Sequence, residues 1–249
     1  MNMTEPEKSE KQSNLRNIEF AVDGERLSGL LFEVDKKGPK VLILGGGAGI
    51  PVSEGYYPAW QKVMAEGGIN SLSFDFRGIG ASGGDIKETS LNSRLQDART
   101  ATETLNGNLP EGKLFIAGVS MGAPIAVRLA NEVNADGVIL ISPAAYSQEA
   151  RSAQYGEQFS EAIQEENSWK DSPDFKELEK FGGKILLAYG EQDDVIPQAI
   201  LRKYERIAKG CGPILKFEQA GHRFMREQDP PSQSARRFLN KEIVELVNQ

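Results

Sequence analysis

Four short runs in this chain are apolar at nearly every position: residues 41–44, 114–117, 138–141 and 184–189. Successive side chains of a strand face opposite sides of a sheet, so a strand that does not alternate is covered on both faces. Between these runs lie stretches of helical spacing, at residues 57–66, 91–105, about 122–132, 197–208 and 232–247. Parallel strands need crossover connections, and strand-then-helix repeats supply them. The pattern predicts an α/β protein with a doubly wound, mainly parallel sheet and helices on both faces. The start differs: residues 18–22 and 26–34 flank Asp23-Gly24, a hairpin signal. Further strands are expected at residues 69–76 and 214–217, and Asn106-Gly107 is expected to stop the helix before it. With 249 residues and 39% hydrophobic content, one large core and one main domain are expected.

Composition removes several classes of partner. The net charge is −7 and no basic cluster stands out, which argues against nucleic acid and anionic membranes. A single cysteine, Cys211, permits no internal disulfide and suits a reducing compartment. It lies in the turn Lys209-Gly210-Cys211-Gly212-Pro213 with no second thiol nearby, so an incidental role is expected. Residues 1–16 are polar and charged, lack the apolar stretch of a signal peptide, and read as a disordered leader before a domain at 17–249. No apolar run is long enough for a membrane span, and a cytoplasmic location is expected. Nothing in the chain specifies an oligomeric state.

One region breaks the alternation. Residues 142–181 are polar, acidic and helix-prone, without a strand signal. They form an insertion beyond the C-terminal edge of the sheet, serving either as a connecting helix pair or as a small lid.

The chemistry centres on Gly118-Val119-Ser120-Met121-Gly122, between an apolar strand and a helix. A sharp strand-to-helix turn strains its tip, and side chains at the flanking positions would collide, so glycines fit there. The serine is left exposed over the free N–H groups of a helix start. A serine hydroxyl needs a base to take its proton and a third group to orient that base. The only histidine, His222, follows the last strand, where catalytic groups of open α/β sheets collect. An acid is available after residues 184–189, where Asp193 and Asp194 lie between strand and helix. The strand ending at residue 141 is followed by Ser142-Pro143-Ala144-Ala145, which has no carboxylate.

The order Ser120, aspartate, His222 resembles the α/β-hydrolase fold, in particular small esterases, lipases and serine-aminopeptidase-like hydrolases. The resemblance runs from about residue 18 to the C-terminus. It rests on the glycine turn after the third strand, on Asp75-Phe76-Arg77-Gly78-Ile79-Gly80-Ala81-Ser82, on the serine turn, and on Gly190-x-x-Asp193 with Gly221-His222. It implies Asp193, rather than Asp194, as the acid. It also implies an oxyanion hole from the Met121 N–H and a donor in Leu44-Gly45-Gly46-Gly47-Ala48-Gly49, with Gly47 fitting by register and Gly46 the alternative. The family's usual His-Gly pair is missing from that loop, which leaves a plain flexible glycine turn as the other reading.

The expected activity is cleavage of a small-molecule carboxylic ester through an acyl-enzyme, without metal or cofactor. A thioesterase or peptidase would use the same groups, and a non-catalytic binding module is the rival of a different kind. Gly78-x-Gly80-x-x-Gly83 matches a dinucleotide fingerprint in letters, but no helix is expected at its third glycine and the strand before it is the fourth. No histidine–cysteine cluster suggests a metal site.

Overall fold

The computed structural model describes residues 14–45, 47, 50–164 and 168–249. Eight strands form one sheet: β1 (Asn14–Val22), β2 (Glu25–Glu33), β3 (Lys40–Leu44), β4 (Asn70–Phe74), β5 (Leu114–Val119), β6 (Gly137–Ile141), β7 (Lys184–Gly190) and β8 (Ile214–Phe217). Their spatial order is β1-β2-β4-β3-β5-β6-β7-β8, with β1, β2 and β4 joined antiparallel and the remaining pairs parallel. The chain reverses direction across the sheet at β3, between β4 and β5. Crevices for ligands open at such switch points, outside the C-terminal strand ends.

The doubly apolar strands divide their side chains between two cores. Val41 and Ile43 face α1 (Tyr57–Glu66) and α8 (Pro230–Asn248), in a core with Trp60, Phe115, Leu239 and Ile243. Leu42 and Leu44 face the opposite layer, built from α2 (Leu91–Asn108), α3 (Gly122–Glu132) and α7 (Gln198–Ala208). All five residues of β3, β4 and β6 are buried. Full burial of each large aliphatic side chain contributes about 1.5–3 kcal/mol.

Several boundaries differ from the expectation. β1 begins at Asn14, because Asn14 to Val22 find a continuous antiparallel ladder on Glu33 to Glu25. Backbone pairing extends the strand past the apolar alternation of Ile18, Phe20 and Val22; residues 1–13 of the expected leader lie outside the described residues. Asn106-Gly107 does not stop α2, which runs on to Asn108. There the Asn108 amide donates to the Thr104 carbonyl at 2.8 Å and the Leu109 N–H to Leu105 at 2.9 Å, satisfying the last turn. At its other end Ser90 and Ser93 form a reciprocal cap, with bonds of 3.2 and 2.8 Å, worth about 1 kcal/mol. β4 ends at Phe74, releasing Asp75 and Phe76 into the following loop.

Residues 142–181 hold α4 (Gln148–Ser152), α5 (Glu157–Gln164), a 3-10 turn (Ser168–Asp171) and α6 (Pro173–Glu179). This insertion is pinned to the body. Within it, Arg151 of α4 pairs with Asp174 and, at 3.1 Å, with Glu177 of α6, and two contacts reach the body. The Tyr155 N–H donates to the Thr89 carbonyl at 2.9 Å, and Asn131 on α3 donates to Glu177 at 2.9 Å.

Candidate active site

Ser120 stands at the tip between β5 and α3 with φ = +51°, a left-handed conformation that costs a non-glycine residue about 1–3 kcal/mol. Three backbone bonds hold it there: Ser120 N–H to Ile141 at 2.8 Å, and Ala123 and Ala144 N–H to the Ser120 carbonyl at 3.1 and 3.2 Å. The flanking glycines have steric reasons. A Cβ on Gly118 would lie 2.6 Å from the Ala123 Cα, and one on Gly122 2.4 Å from the Leu44 carbonyl oxygen. The turn therefore presses against the C-terminal end of β3. Met121 caps α3, so no earlier helical carbonyl takes its N–H.

The loops after β7 and β8 meet over the same edge. A Cβ on Gly190 would sit 2.0 Å from the Ala220 carbonyl, which accepts the Gln192 N–H at 3.1 Å. That contact brings Asp193 Oδ2 within 2.8 Å of His222 Nδ1, while His222 Nε2 lies 3.1 Å from Ser120 Oγ. The other carboxylate oxygen of Asp193 accepts the N–H groups of Val195 and Ile196, at 3.0 and 2.8 Å. Burial pushes the Asp193 carboxyl up, but the bonds from His222 and the two amides outweigh it and hold the group below its ordinary value. Asp194 points outward and is exposed.

Gly47 is described with φ = +58° and open space where a Cβ would stand. Its neighbours Gly46, Ala48 and Gly49 lie outside the described residues. The loop leaves β3 through Gly45, where a Cβ would meet the Tyr57 hydroxyl at 2.5 Å.

The segment carrying Gly78, Gly80 and Gly83 closes on itself. Gly78 N–H donates to Gly83 at 2.8 Å and Ser82 Oγ to the Asp75 carbonyl at 2.6 Å, and a 3-10 turn at Ile86–Glu88 follows. The buried Asp75 carboxylate accepts N–H groups from Val52 and Ala81, at 2.7 and 3.1 Å. Arg77 pairs with the fully buried Asp97 at 2.7 Å.

Sequence reasoning missed Arg94. Its side chain is wholly buried, with Nη1 3.7 Å from the Met121 sulfur. The guanidinium carbon stands 4.1 Å from the centre of the Tyr155 ring and 5.0 Å from that of Phe76. Tyr155, from the insertion, places its hydroxyl 3.0 Å from the same sulfur. The signal was present: Arg94 falls on the stripe of Leu91, Leu95 and Ala98 that faces the core.

A groove of about 790 Å³ runs along α7 and touches none of these groups, whereas a polar hollow of about 330 Å³ reaches His222 and Asp194. Among the described residues no cluster of three or more His, Cys, Asp or Glu could hold a metal, and no helix is long and apolar enough to cross a membrane.

A serine on a strained turn at the switch point of such a sheet, with loops from two later strands converging on it, defines the α/β-hydrolase class. The family model for serine aminopeptidase, S33, matches residues 43–169, just over half of the chain, and the protein belongs to that family. The human α/β-hydrolase domain-containing protein 17B is 27% identical over 178 residues, which are 71% of this chain and 58% of that protein. The chain thus spans less than two thirds of this curated relative. Among solved structures, Est1E from Butyrivibrio proteoclasticus with ferulic acid bound is similar at a TM-score of 0.72 and 18% identity, covering 91% of this chain and 99% of that one. The Pyrococcus furiosus esterase Pf2001 gives 0.70 and 20%, covering 94% and 91%. These likenesses are of fold.

Proposed function

We propose that the protein is a serine hydrolase that cleaves a small carboxylic ester through an acyl-enzyme on Ser120. The observation that carries this is the unbroken chain of contacts from Ser120 Oγ to His222 Nε2 and from His222 Nδ1 to Asp193. In the proposed reaction His222 takes the hydroxyl proton as Ser120 attacks the carbonyl carbon, then delivers it to the leaving alcohol. A water molecule, deprotonated by the same imidazole, attacks the acyl group and restores the serine. Asp193 fixes the tautomer and offsets the charge that the imidazole gains. Its depressed pKa supports this role, because it stays anionic through the neutral range. The Met121 N–H and a donor from the Gly47 loop are proposed to hold the oxyanion, and residues 142–181 to cover the acyl side of the site. The proposed setting is cytoplasmic, with no cofactor or metal in the cycle.

The family description raises a second reading, an aminopeptidase. Such an enzyme needs negative charge for the substrate ammonium, and the buried charge beside Met121 is a cation. That sign favours the ester.

A fluorophosphonate probe and a panel of p-nitrophenyl esters and thioesters graded by acyl length test the proposal. Labelling that disappears in Ser120→Ala is the expected result. A Ser120→Ala variant with native circular dichroism and more than a few per cent of wild-type turnover would overturn it.

A further inference from the structure

Arg94 is a wholly buried cation with no carboxylate within bonding distance among the described residues. Its neighbour Asp97 is committed to Arg77, through bonds of 2.7 and 3.1 Å to the side chain and backbone. The Arg94 Nε and Nη2 atoms have no hydrogen-bond partner among the described residues. These two nitrogens share one edge of the guanidinium plane, the edge that a carboxylate caps with two parallel bonds. Arg99 shows that edge filled: its Nε and Nη2 donate to Glu132 at 2.7 and 2.8 Å. In Arg94 the same edge meets no acceptor of the described chain, and Nη1 has only the Met121 thioether, a weak acceptor. Two aromatic faces soften the burial of the charge without meeting its N–H groups.

The guanidinium lies beside the serine turn. Met121 directly follows Ser120, and the sulfur of its half-buried side chain meets the guanidinium at Nη1. A methionine side chain is unbranched and turns readily, so its sulfur is easily displaced by a stronger acceptor. We infer that Arg94 determines the acyl specificity of the proposed site, and that the preferred substrate is a hemi-ester of a dicarboxylic acid whose free carboxylate displaces the Met121 sulfur from Nη1 and bonds end-on to Nη1 and the unpartnered Nη2. This rests on the ester-hydrolase reading of Ser120, whose chemistry it leaves unchanged. A charge-assisted pair of this kind discriminates by roughly 10-fold to 100-fold over a neutral group that leaves the guanidinium unpaired.

The test uses monoethyl succinate, glutarate and adipate against the neutral ethyl esters of butyric, valeric and hexanoic acids, followed by product chromatography. Wild type is expected to favour at least one hemi-ester over its neutral counterpart in kcat/KM by about tenfold or more. That ratio should fall to about one or below in Arg94→Leu and in Arg94→Gln, the second of which keeps a polar amide in the space. Calorimetry on Ser120→Ala with monoethyl adipate and monoethyl glutarate reads binding without turnover, and the signal should vanish when Arg94→Leu is added. Hemi-ester binding that depends on Arg94, in a protein that cleaves no ester, would sink the hydrolase reading and leave the anion pocket standing. Ester cleavage without hemi-ester preference, a preference unchanged by both Arg94 variants, or a stronger preference for an ω-hydroxy ester of equal length would overturn the inference and leave the hydrolase reading intact.

Discussion

The loops after β4 and after β7 each place a buried aspartate beyond the same end of the sheet, and the two behave in opposite ways. Asp75 accepts two backbone N–H groups, yet burial dominates and raises its carboxyl above the ordinary value. Asp193 also accepts two, but His222 adds a third partner, and the balance turns so that its carboxyl is held low. At Asp75 burial outweighs the two amides and the nearby Glu54 charge adds to the rise, whereas at Asp193 the imidazole tips the balance the other way. Asp75 is therefore a clamp that ties Val52 to Ala81, whereas Asp193 is a charge kept in place for the proposed base.

The sharpest way to break this contrast is to neutralise each carboxylate in turn. In serine proteases, changing the aspartate that orients the histidine to asparagine costs about 10⁴ in turnover. Asp193→Asn is accordingly expected to lose roughly 10²–10⁴ in kcat on an activated ester while circular dichroism stays native. Asp75→Asn should do the reverse. Its amide would turn a donor toward the N–H of either Val52 or Ala81, costing about 1–3 kcal/mol and a Tm drop of several degrees. Comparable kcat losses in the two variants would erase the distinction.

A gentler test is the pH dependence of stability. A lowered carboxyl contributes stability that is present above the unfolded pKa and lost as pH falls through the folded value. For Asp193, the advantage of wild type over Asp193→Asn in denaturant titrations should therefore shrink on acidification below the usual value near 3.8. A raised carboxyl has the opposite sign: the folded state holds the proton longer, and stability declines as pH rises from 3.8 toward the folded value. The advantage of wild type over Asp75→Asn should shrink on alkalinisation through that window. Parallel slopes for the two pairs would contradict the assigned shifts. The smallest effect belongs to Asp194→Asn, an exposed neighbour, which should cost less than about tenfold in kcat. A larger loss there than for Asp193→Asn would move the proposed acid to Asp194.

Much of this architecture was legible in the chain because apolar runs report burial directly. The strands at the centre of the sheet and the helices that cover them follow from such runs. What escaped was held by groups outside that pattern. β1 reaches back to Asn14 through backbone pairing, and α2 continues past Gly107 because side-chain and backbone bonds satisfy its end. At the candidate site, Ser120 and His222 carried local signals: glycines that only a tight turn requires, and a lone histidine past a strand. Choosing between Asp193 and Asp194 required the family pattern, since both follow the same strand. Arg94 was the hardest to read. A single charged residue on an apolar helix face is ordinarily taken as a tolerated exception, and only the side chains that close around it reveal the unmatched edge of its guanidinium.

The sheet also has a weak margin where the candidate site is strongest in chemistry. β8 has four residues, pairs on one side only, and is followed directly by the loop that holds His222. Edge segments with few partners open at lower free energy than the centre of a fold. Ser120 is anchored to β5 and β6, deep in the sheet, so the proposed nucleophile and its base belong to parts of the molecule with different resistance to opening. If Ser120 and His222 act together as proposed, opening at this border would part the base from the nucleophile while the core stays folded.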